Sequence, residues 1–173
     1  MRQNLTLSLS AVVLAALPVH AQPRPSQHGG VTQTVNETTI TLEYDRPLAR
    51  GRELFGGIVD WEAIWTPGAN RATWIEFSTP VTFETHPVPA GRYGMWMVPR
   101  ENEPWEVVLV REWDTHHSFF SFETEVLRVR VPPRTGDHME ALAFYFPVVG
   151  PYETTLHFHW GTTAVPLRIE VGR

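Results

Sequence analysis

The chain has 173 residues, a formal net charge of −5 and no cysteine, and this length suggests one domain. The absence of cysteine excludes disulfides, thiol catalysis, thiolate metal sites and a lipidated N-terminal cysteine. No lysine is present, which excludes Schiff-base chemistry on a lysine. The acidic balance argues against a nucleic-acid partner, because phosphate binding needs a basic face.

The first 21 residues predict an export signal. Arg2 supplies the positive charge near the N-terminus, and Leu5 to Leu17 is mostly apolar. Val19-His20-Ala21 resembles the cleavage site of a signal peptidase. The apolar run is shorter than the ~20 residues that span a bilayer, so we expect cleavage after Ala21 and no transmembrane span in the mature chain. The protein is then expected in the periplasm or secreted, with residues 22–30 as a flexible leader.

Strand patterns follow the leader in chain order. Val31 to Val35 and Thr39 to Tyr44 alternate, which predicts an antiparallel hairpin with Ile40, Leu42 and Tyr44 on one face. The later strands are expected at 72–78, 81–85, 93–98, 105–110, 126–131, 141–146, 154–160 and 165–171.

Nine or ten short strands joined by turns predict an all-β fold, a single antiparallel β-sandwich or jelly-roll-like domain over 31–172. A closed barrel is the alternative. Trp105 to Val110 is almost continuously apolar, so this strand should be covered on both faces. Val59 to Trp65 predicts one short helical turn in a long loop near 46–70, and Gly161-Thr162 predicts a turn before the last strand.

The long loop is the first candidate site, because it collects side chains that bind anions and sugar rings. We single out four of them as ligand-binding candidates: Arg46, Arg52, Trp65 and Asn70. The alternative is a structural clasp, in which the loop arginines pair with neighbouring acids and hold one end of the sandwich closed. Its glycines and inward-leaning tryptophans fit a clasp as well, and we favour that interpretation.

His157 and His159 are the second candidate, as metal ligands. Residues at i and i+2 of a strand project from the same face, which is a spacing that cupin-type sites use. A third ligand must come from elsewhere, with His116, His117 or His138 as possible donors. The alternative is a polar face turned to solvent. A weaker candidate is the irregular segment with Asp114, His116 and His117, and Trp61, Trp65 and Trp113 are tryptophans in irregular segments that could line a groove.

The residues from Tyr44 onward resemble the bacterial domain-of-unknown-function family 2911. The motifs that match are Tyr44, Arg46-Pro47, Arg50-Gly51-Arg52, Phe55-Gly56, Val59, Trp65, Gly68-Ala69-Asn70, Ala72-Thr73, Pro89-Ala90-Gly91, Tyr93 and Trp160-Gly161. The similarity runs from about Val31 to Val171. Where the family usually has arginine after the tryptophan, this chain has Thr66-Pro67. The resemblance implies an exported, compact β domain and no established reaction.

The leading functional hypothesis is a binding or interaction module of the cell envelope, whose partner is a small ligand, a glycan or an envelope protein. One alternative is a cupin-like metal-dependent enzyme that uses His157 and His159. Another is a purely structural envelope domain. No cofactor is expected under the leading hypothesis, whereas the enzyme alternative needs a divalent metal.

Overall fold

A computed structural model describes residues 26–173, and it shows two antiparallel β-sheets packed face to face. In chain order the strands are β1 (Gln27–Val35), β2 (Thr38–Arg46), β3 (Trp74–Phe77), β4 (Val81–Phe83), β5 (His86–Val88), β6 (Gly91–Val98), β7 (Trp105–Val110), β8 (Glu125–Val131), β9 (Arg134–Val149) and β10 (Glu153–Val171). One sheet has the order β1-β2-β3-β6-β7-β8, and the other has the order β5-β4-β10-β9. The predicted all-β sandwich is confirmed.

The core lies between the sheets and is built by the period-two pattern of the strands. Ile40, Leu42 and Tyr44 of β2 point into it, as predicted, and Phe158 and Trp160 of β10 reach it from the opposite sheet. The outward positions of β2 are half-buried or polar. The alternation therefore determines which side chains face the outer surface of the sheet.

Strand β7 is covered on both faces, which confirms the prediction from its apolar run. Val107 and Leu109 enter the main core, whereas Val108 and Val110 belong to a second apolar cluster on the outer face. Loop residues, Phe120 among them, pack over that second cluster. Two irregular segments are therefore held against the outside of the six-stranded sheet.

The predicted leader and helical turn both need correction. Strand β1 begins at Gln27, so residues 27–30 pair with β2 instead of forming a flexible leader. The signal peptide and residues 22–25 lie outside the described residues. The segment Val59–Trp65 is not helical, because Trp65 exchanges backbone hydrogen bonds of 2.8 and 2.7 Å with Met97 of β6. This strand-like pairing overrides a weak local helix pattern. Among the described residues, the single helix is a short 3-10 turn at Phe122–Thr124.

The turn predicted at Gly161-Thr162 is also wrong. Strand β10 runs without a break from Glu153 to Val171, and its pairing with β9 shifts register around Gly161. Gly161 adopts a left-handed φ of 59°, which a β-bulge absorbs without ending the strand.

Residues 44–49 join the two sheets at one edge. Leu142 and Ala49 donate backbone hydrogen bonds of 3.0 and 2.8 Å to Pro47 and Glu140, and the Phe144 N–H donates to the Tyr44 hydroxyl at 2.9 Å. We call this short bridge of residues 44–49 the clasp; the structural role predicted for the whole long loop stays a prediction. No helix in residues 26–173 has the length and apolar character needed to cross a membrane.

Candidate functional site: two clefts lined by tryptophan

The four predicted ligand-binding residues do not converge on one pocket. The Arg46 Nε donates to the Leu142 carbonyl at 3.0 Å, and Asn70 Nδ2 donates to Asp45 Oδ2 at 2.8 Å. Arg52 and Trp65, in contrast, line the same cleft. Arg46 and Asn70 therefore serve the clasp and its neighbourhood, whereas Arg52 and Trp65 face open space.

The clasp is not held by the ion pairs that the sequence suggested. Arg46, Arg50 and Arg52 take part in none of the ion pairs formed within residues 26–173. Arg52 instead donates from Nε to the Ala49 carbonyl at 3.0 Å and from Nη2 to the Leu48 carbonyl at 2.7 Å. The loop is thus fixed by arginine hydrogen bonds to backbone carbonyls.

The larger cleft has a volume of about 490 Å³ and lies on the outer face of the six-stranded sheet; we call it the acidic cleft. Its lining residues are His28, Glu43, Tyr44, Asp45, Arg71, Ala72, Trp74 and Trp113. Gly30, Glu43, Trp74 and Gly94 stand side by side in register across the strands. The glycine at each end of this row leaves room for a neighbour to lie on the sheet: Glu43 itself over Gly30, and residues 112–113 over Gly94.

Gly94 also explains how Trp113 reaches this surface. A Cβ at Gly94 would lie 2.6 Å from the Glu112 carbonyl oxygen, so the chain at 112–113 rests directly on the bare backbone. The close approach brings the Trp113 ring to 6.1 Å from the Trp74 ring, at an interplanar angle of 67°. Two indoles from distant segments therefore share one cleft.

Arg92 holds the two indoles in place. Its guanidinium lies 4.0 Å from the Trp74 ring centre and 4.5 Å from that of Trp113, and it bonds to Glu76 at 2.7 Å. Arg92 itself does not line the cleft. Stacking and a charge-assisted hydrogen bond thus orient both rings before any ligand arrives.

Carboxylates dominate the polar groups of the acidic cleft. The His28 ring lies between two of them, with Nδ1 at 3.3 Å from Asp45 Oδ1 and Nε2 at 3.0 Å from Glu43 Oε2. Asp45 is buried, whereas Glu43 is partly open to solvent. The arginine of this cleft, Arg71, forms an ion pair with Asp114. The cleft therefore offers hydrogen-bond acceptors and repels anions.

The second cleft, of about 350 Å³, has the opposite character, and we call it the arginine cleft. Its lining residues are Ser26, Pro47, Leu48, Arg50, Arg52, Ile58, Val59, Trp65, Gly68, Ala69, His117 and Trp160. None of these described residues carries a carboxylate. Trp65 and Trp160 are stacked, with ring centres 6.0 Å apart and planes 18° apart. The buried Nε1 of Trp160 has no hydrogen-bond partner in residues 26–173.

One thin wall separates the two clefts. It is made where residues 68–72 run beside residues 113–117, with the Ala72 N–H donating to Thr115 at 3.0 Å and the His117 N–H donating to Asn70 at 3.2 Å. Burial, and next the charge of His116, lowers the pKa of His117 below its usual value. The wall thus contains the predicted Asp114, His116 and His117 segment, and it presents His117 to the arginine cleft.

His157 and His159 share the outer face of β10, as predicted, and the ring of Tyr145 contacts both. His159 is buried, and its Nε2 donates to the Asp137 carbonyl at 3.0 Å while Nδ1 lies 3.0 Å from the Tyr145 hydroxyl. Burial, with the charges of Arg134 and His159, lowers the pKa of His157. No group of three histidine or acidic side chains suited to a metal occurs among residues 26–173. The metal site stays a prediction to which the described part of the chain adds no third ligand.

Sequence reasoning missed His28, Glu43, Asp45 and Trp74 as candidates for a shared site. A signal for Trp74 was present, because Ile75 and Phe77 alternate with it and take the inward face. A tryptophan on the outward face of a strand indicates a candidate binding surface. Trp113 was among the predicted groove residues, and it lines the acidic cleft.

Comparison with known proteins gives one match. A family model described as "Protein of unknown function (DUF2911)" matches residues 26–169. No curated protein and no solved structure matches the chain. The resemblance inferred from the motifs is confirmed.

Proposed function

The chain belongs to the DUF2911 family, and we propose that it is an exported binding module that takes a neutral saccharide in the acidic cleft. One observation carries the proposal: Trp74 and Trp113, braced by Arg92, stand beside the carboxylates of Glu43 and Asp45. This pairing of aromatic and acceptor groups matches the two surfaces of a sugar ring.

The chemistry of a sugar ring fits this cleft from both sides. The C–H face of a pyranose is apolar and packs on an indole, whereas its hydroxyl groups donate to carboxylates. Glu43 is partly exposed; its Oε2 lies against His28, and its Oε1 is placed to accept such a bond. The volume of about 490 Å³ lies within the ~300–1,000 Å³ range usual for small-ligand sites.

Charge selects a neutral ligand over an acidic one. Glu43 and Asp45 face the cleft with His28 between them, and the charge of Arg71 is already offset by Asp114. An anionic sugar would bring its charge close to these carboxylates at a cost in binding free energy. Uncharged hexose or N-acetylhexosamine units avoid that cost.

The place of this binding in the cell envelope rests on the sequence. The apolar N-terminal run and the Val19-His20-Ala21 segment support export. Fusing residues 1–25 to a reporter enzyme that is active only outside the cytoplasm tests this part separately. A fusion protein that is made but stays inactive in the cytoplasm contradicts export and leaves the binding proposal unaffected.

Isothermal titration with uncharged oligosaccharides built from glucose, mannose, galactose or N-acetylglucosamine tests the binding. Trp113→Ala and Trp74→Ala should each weaken the affinity for the responding sugar about tenfold, because each removes a stacking surface. Phe122→Ala is the matched control, since Phe122 is exposed and lies outside the cleft. Binding that survives loss of both indoles, or folded protein that binds none of the sugars, would overturn the proposal.

A further inference from the structure

The residues of the arginine cleft take no part in the proposed saccharide binding. We propose that this cleft is a second, independent site, which binds a small aromatic carboxylate. The inference does not depend on the proposed saccharide site, since the two clefts lie on opposite sides of the wall formed by residues 68–72 and 113–117.

Two guanidinium groups supply the recognition of the carboxylate. Arg52 is fixed by hydrogen bonds to two loop carbonyls, which leaves its remaining N–H groups at the cleft. Arg50 uses its backbone N–H, not its side chain, to bond Glu140 at 2.8 Å, and its guanidinium joins no ion pair within the described chain. Forked N–H donors of this kind match the two oxygens of a carboxylate.

The charge of the surroundings strengthens this selection. The whole chain carries a net charge of −5, yet no described residue lining the arginine cleft is acidic. Arg50 and Arg52, with Glu140 as the acid near Arg50, form a local positive field on an acidic protein, and such a field attracts small anions. The acidic cleft next to it excludes them.

The apolar part of the ligand meets an aromatic wall. Trp65 and Trp160 are stacked along the cleft, and Ile58 stands 42 % exposed beside them. Because Trp160 is buried, the surface that a flat aromatic ring meets is that of Ile58 and the half-buried Trp65, with Trp160 stacked on Trp65. The cleft volume of about 350 Å³ is enough for a ring with a short acidic side chain.

Trp160 also carries an unpaired donor, as Trp96 does elsewhere in the described chain. Its side chain is only 1 % exposed, and its Nε1–H donor is buried without an acceptor in the described chain. An unsatisfied buried donor costs free energy. The seven tryptophans also give indole N–H signals that report which cleft a ligand enters.

The test is a ¹H–¹⁵N NMR titration of the full chain with 3-phenylpropanoate, and with 3-phenylpropanamide as its neutral twin. We expect saturable shifts of the Trp65 and Trp160 indole signals with the acid, and at least about tenfold weaker binding of the amide. N-acetylglycyl-phenylalanine, as acid and as amide, shows whether the carboxylate of a peptide C-terminus is also accepted.

Two variants separate recognition from folding. Arg50→Gln changes an exposed side chain that bonds no described residue, and it should weaken the acid at least about tenfold while leaving the amide unchanged. Arg111→Gln is the matched control, since Arg111 is exposed and lies outside both clefts. Arg52→Gln also removes the contacts to Leu48 and Ala49, so its effect is interpreted only beside that of Arg50→Gln.

Three results would overturn the proposal. One is equal binding of acid and amide, and another is unchanged affinity in folded Arg50→Gln. The third is a response of Trp74 and Trp113 without one of Trp65 and Trp160, which would place the acid in the other cleft. Failure of every sugar to bind, in contrast, would contradict the saccharide proposal and leave this one standing.

Discussion

The acidic cleft and the arginine cleft are both lined by tryptophans, but their charged side chains have opposite signs. In the acidic cleft, Trp74 and Trp113 are half-buried and rest on the outside of a sheet. In the arginine cleft, Trp160 is a core residue whose ring packs between the sheets, with Trp65 stacked on it. One site is therefore an addition to the sandwich surface, and the other is an opening into its interior.

The difference has its origin in the strands and loops that supply the charges. Glu43 and Asp45 alternate with core residues on β2, so the pleat itself presents them to the acidic cleft. Arg50 and Arg52 follow the clasp, where the chain has left the sheet and Arg50 takes a left-handed φ of 53°. Sheet geometry fixes the first set of charges, whereas backbone hydrogen bonds of a loop fix the second.

The largest expected effect separates the two kinds of tryptophan. Trp160→Ala should lower the free energy of unfolding by about 3–5 kcal/mol, because it opens a cavity in the core. Trp113→Ala should lower it by about 1 kcal/mol or less, because its ring is half-buried outside the sandwich. Urea unfolding followed by far-UV circular dichroism measures both. Equal losses in the two variants would erase the contrast between a core site and a surface site.

The positions of these tryptophans show how much of the structure can be predicted from the sequence. Alternation in β2 and β10 predicts which side chains enter the core, and it holds because a pleated strand has two faces. The same alternation puts Trp74 on the outside. It does not reveal that Trp113 packs beside it, since that depends on β3 pairing with β6 across the intervening β4–β5 hairpin.

The arginine cleft was closer to prediction than the acidic cleft. Arg52 and Trp65 both line it, because residues of one long loop that folds back on the sheet stay close together. Arg46, the last residue of β2, and Asn70 were predicted with them, but their polar groups bond to Leu142 and Asp45. Which of these side chains form hydrogen bonds inside the protein depends on tertiary contacts that no local sequence pattern encodes.

The wall between the clefts gives the second prediction. Asn70 has a left-handed φ of 60° and donates to the buried Asp45 carboxylate. Asn70→Ala should cost about 2 kcal/mol of unfolding free energy, because it loses this charge-assisted bond and strains the backbone. Asn70→Gly keeps the backbone conformation and should cost about 1 kcal/mol less. Thermal unfolding of the pair tests the assignment.

The same pair bears on binding. Loss of the Asn70 amide leaves Asp45 with one fewer donor, so saccharide affinity should fall in both variants. Affinity of the arginine cleft for 3-phenylpropanoate should stay within about twofold of wild type, since Asn70 does not line that cleft. Equal losses at both clefts would mean that the wall couples them.

The third prediction concerns the brace of the acidic cleft. Arg92→Lys keeps the charge near Glu76 and removes the flat guanidinium from the Trp74 and Trp113 rings. Because the ion pair is partly exposed, the loss of unfolding free energy should be only about 0.5 kcal/mol. The indole signals of Trp74 and Trp113 should move in NMR spectra, and those of Trp65 and Trp160 should not. Movement of all four would contradict a brace confined to one cleft.

The smallest expected effect is a pH dependence of the arginine cleft. The pKa of His117 lies below its usual value of 6.5 because of burial and the charge of His116. As the pH falls through this lowered pKa, the imidazole gains a proton at the arginine cleft, while a carboxylic acid ligand with a pKa of about 4–5 is still largely ionised. The affinity for 3-phenylpropanoate should therefore rise about twofold, and His117→Gln should remove the rise.

On acidification the free energy of unfolding should fall while the affinity for 3-phenylpropanoate rises. These opposite changes distinguish a role of His117 in binding from a role in stability. A base whose pKa is lower in the folded than in the unfolded chain binds its proton first in the unfolded state, so stability falls as the pH drops below about 6.5. His157, whose pKa is also lowered, adds to this loss. Comparing His117→Gln with wild type across the same pH range isolates the part from His117. Tighter binding on acidification that persists in His117→Gln would move the effect to another group.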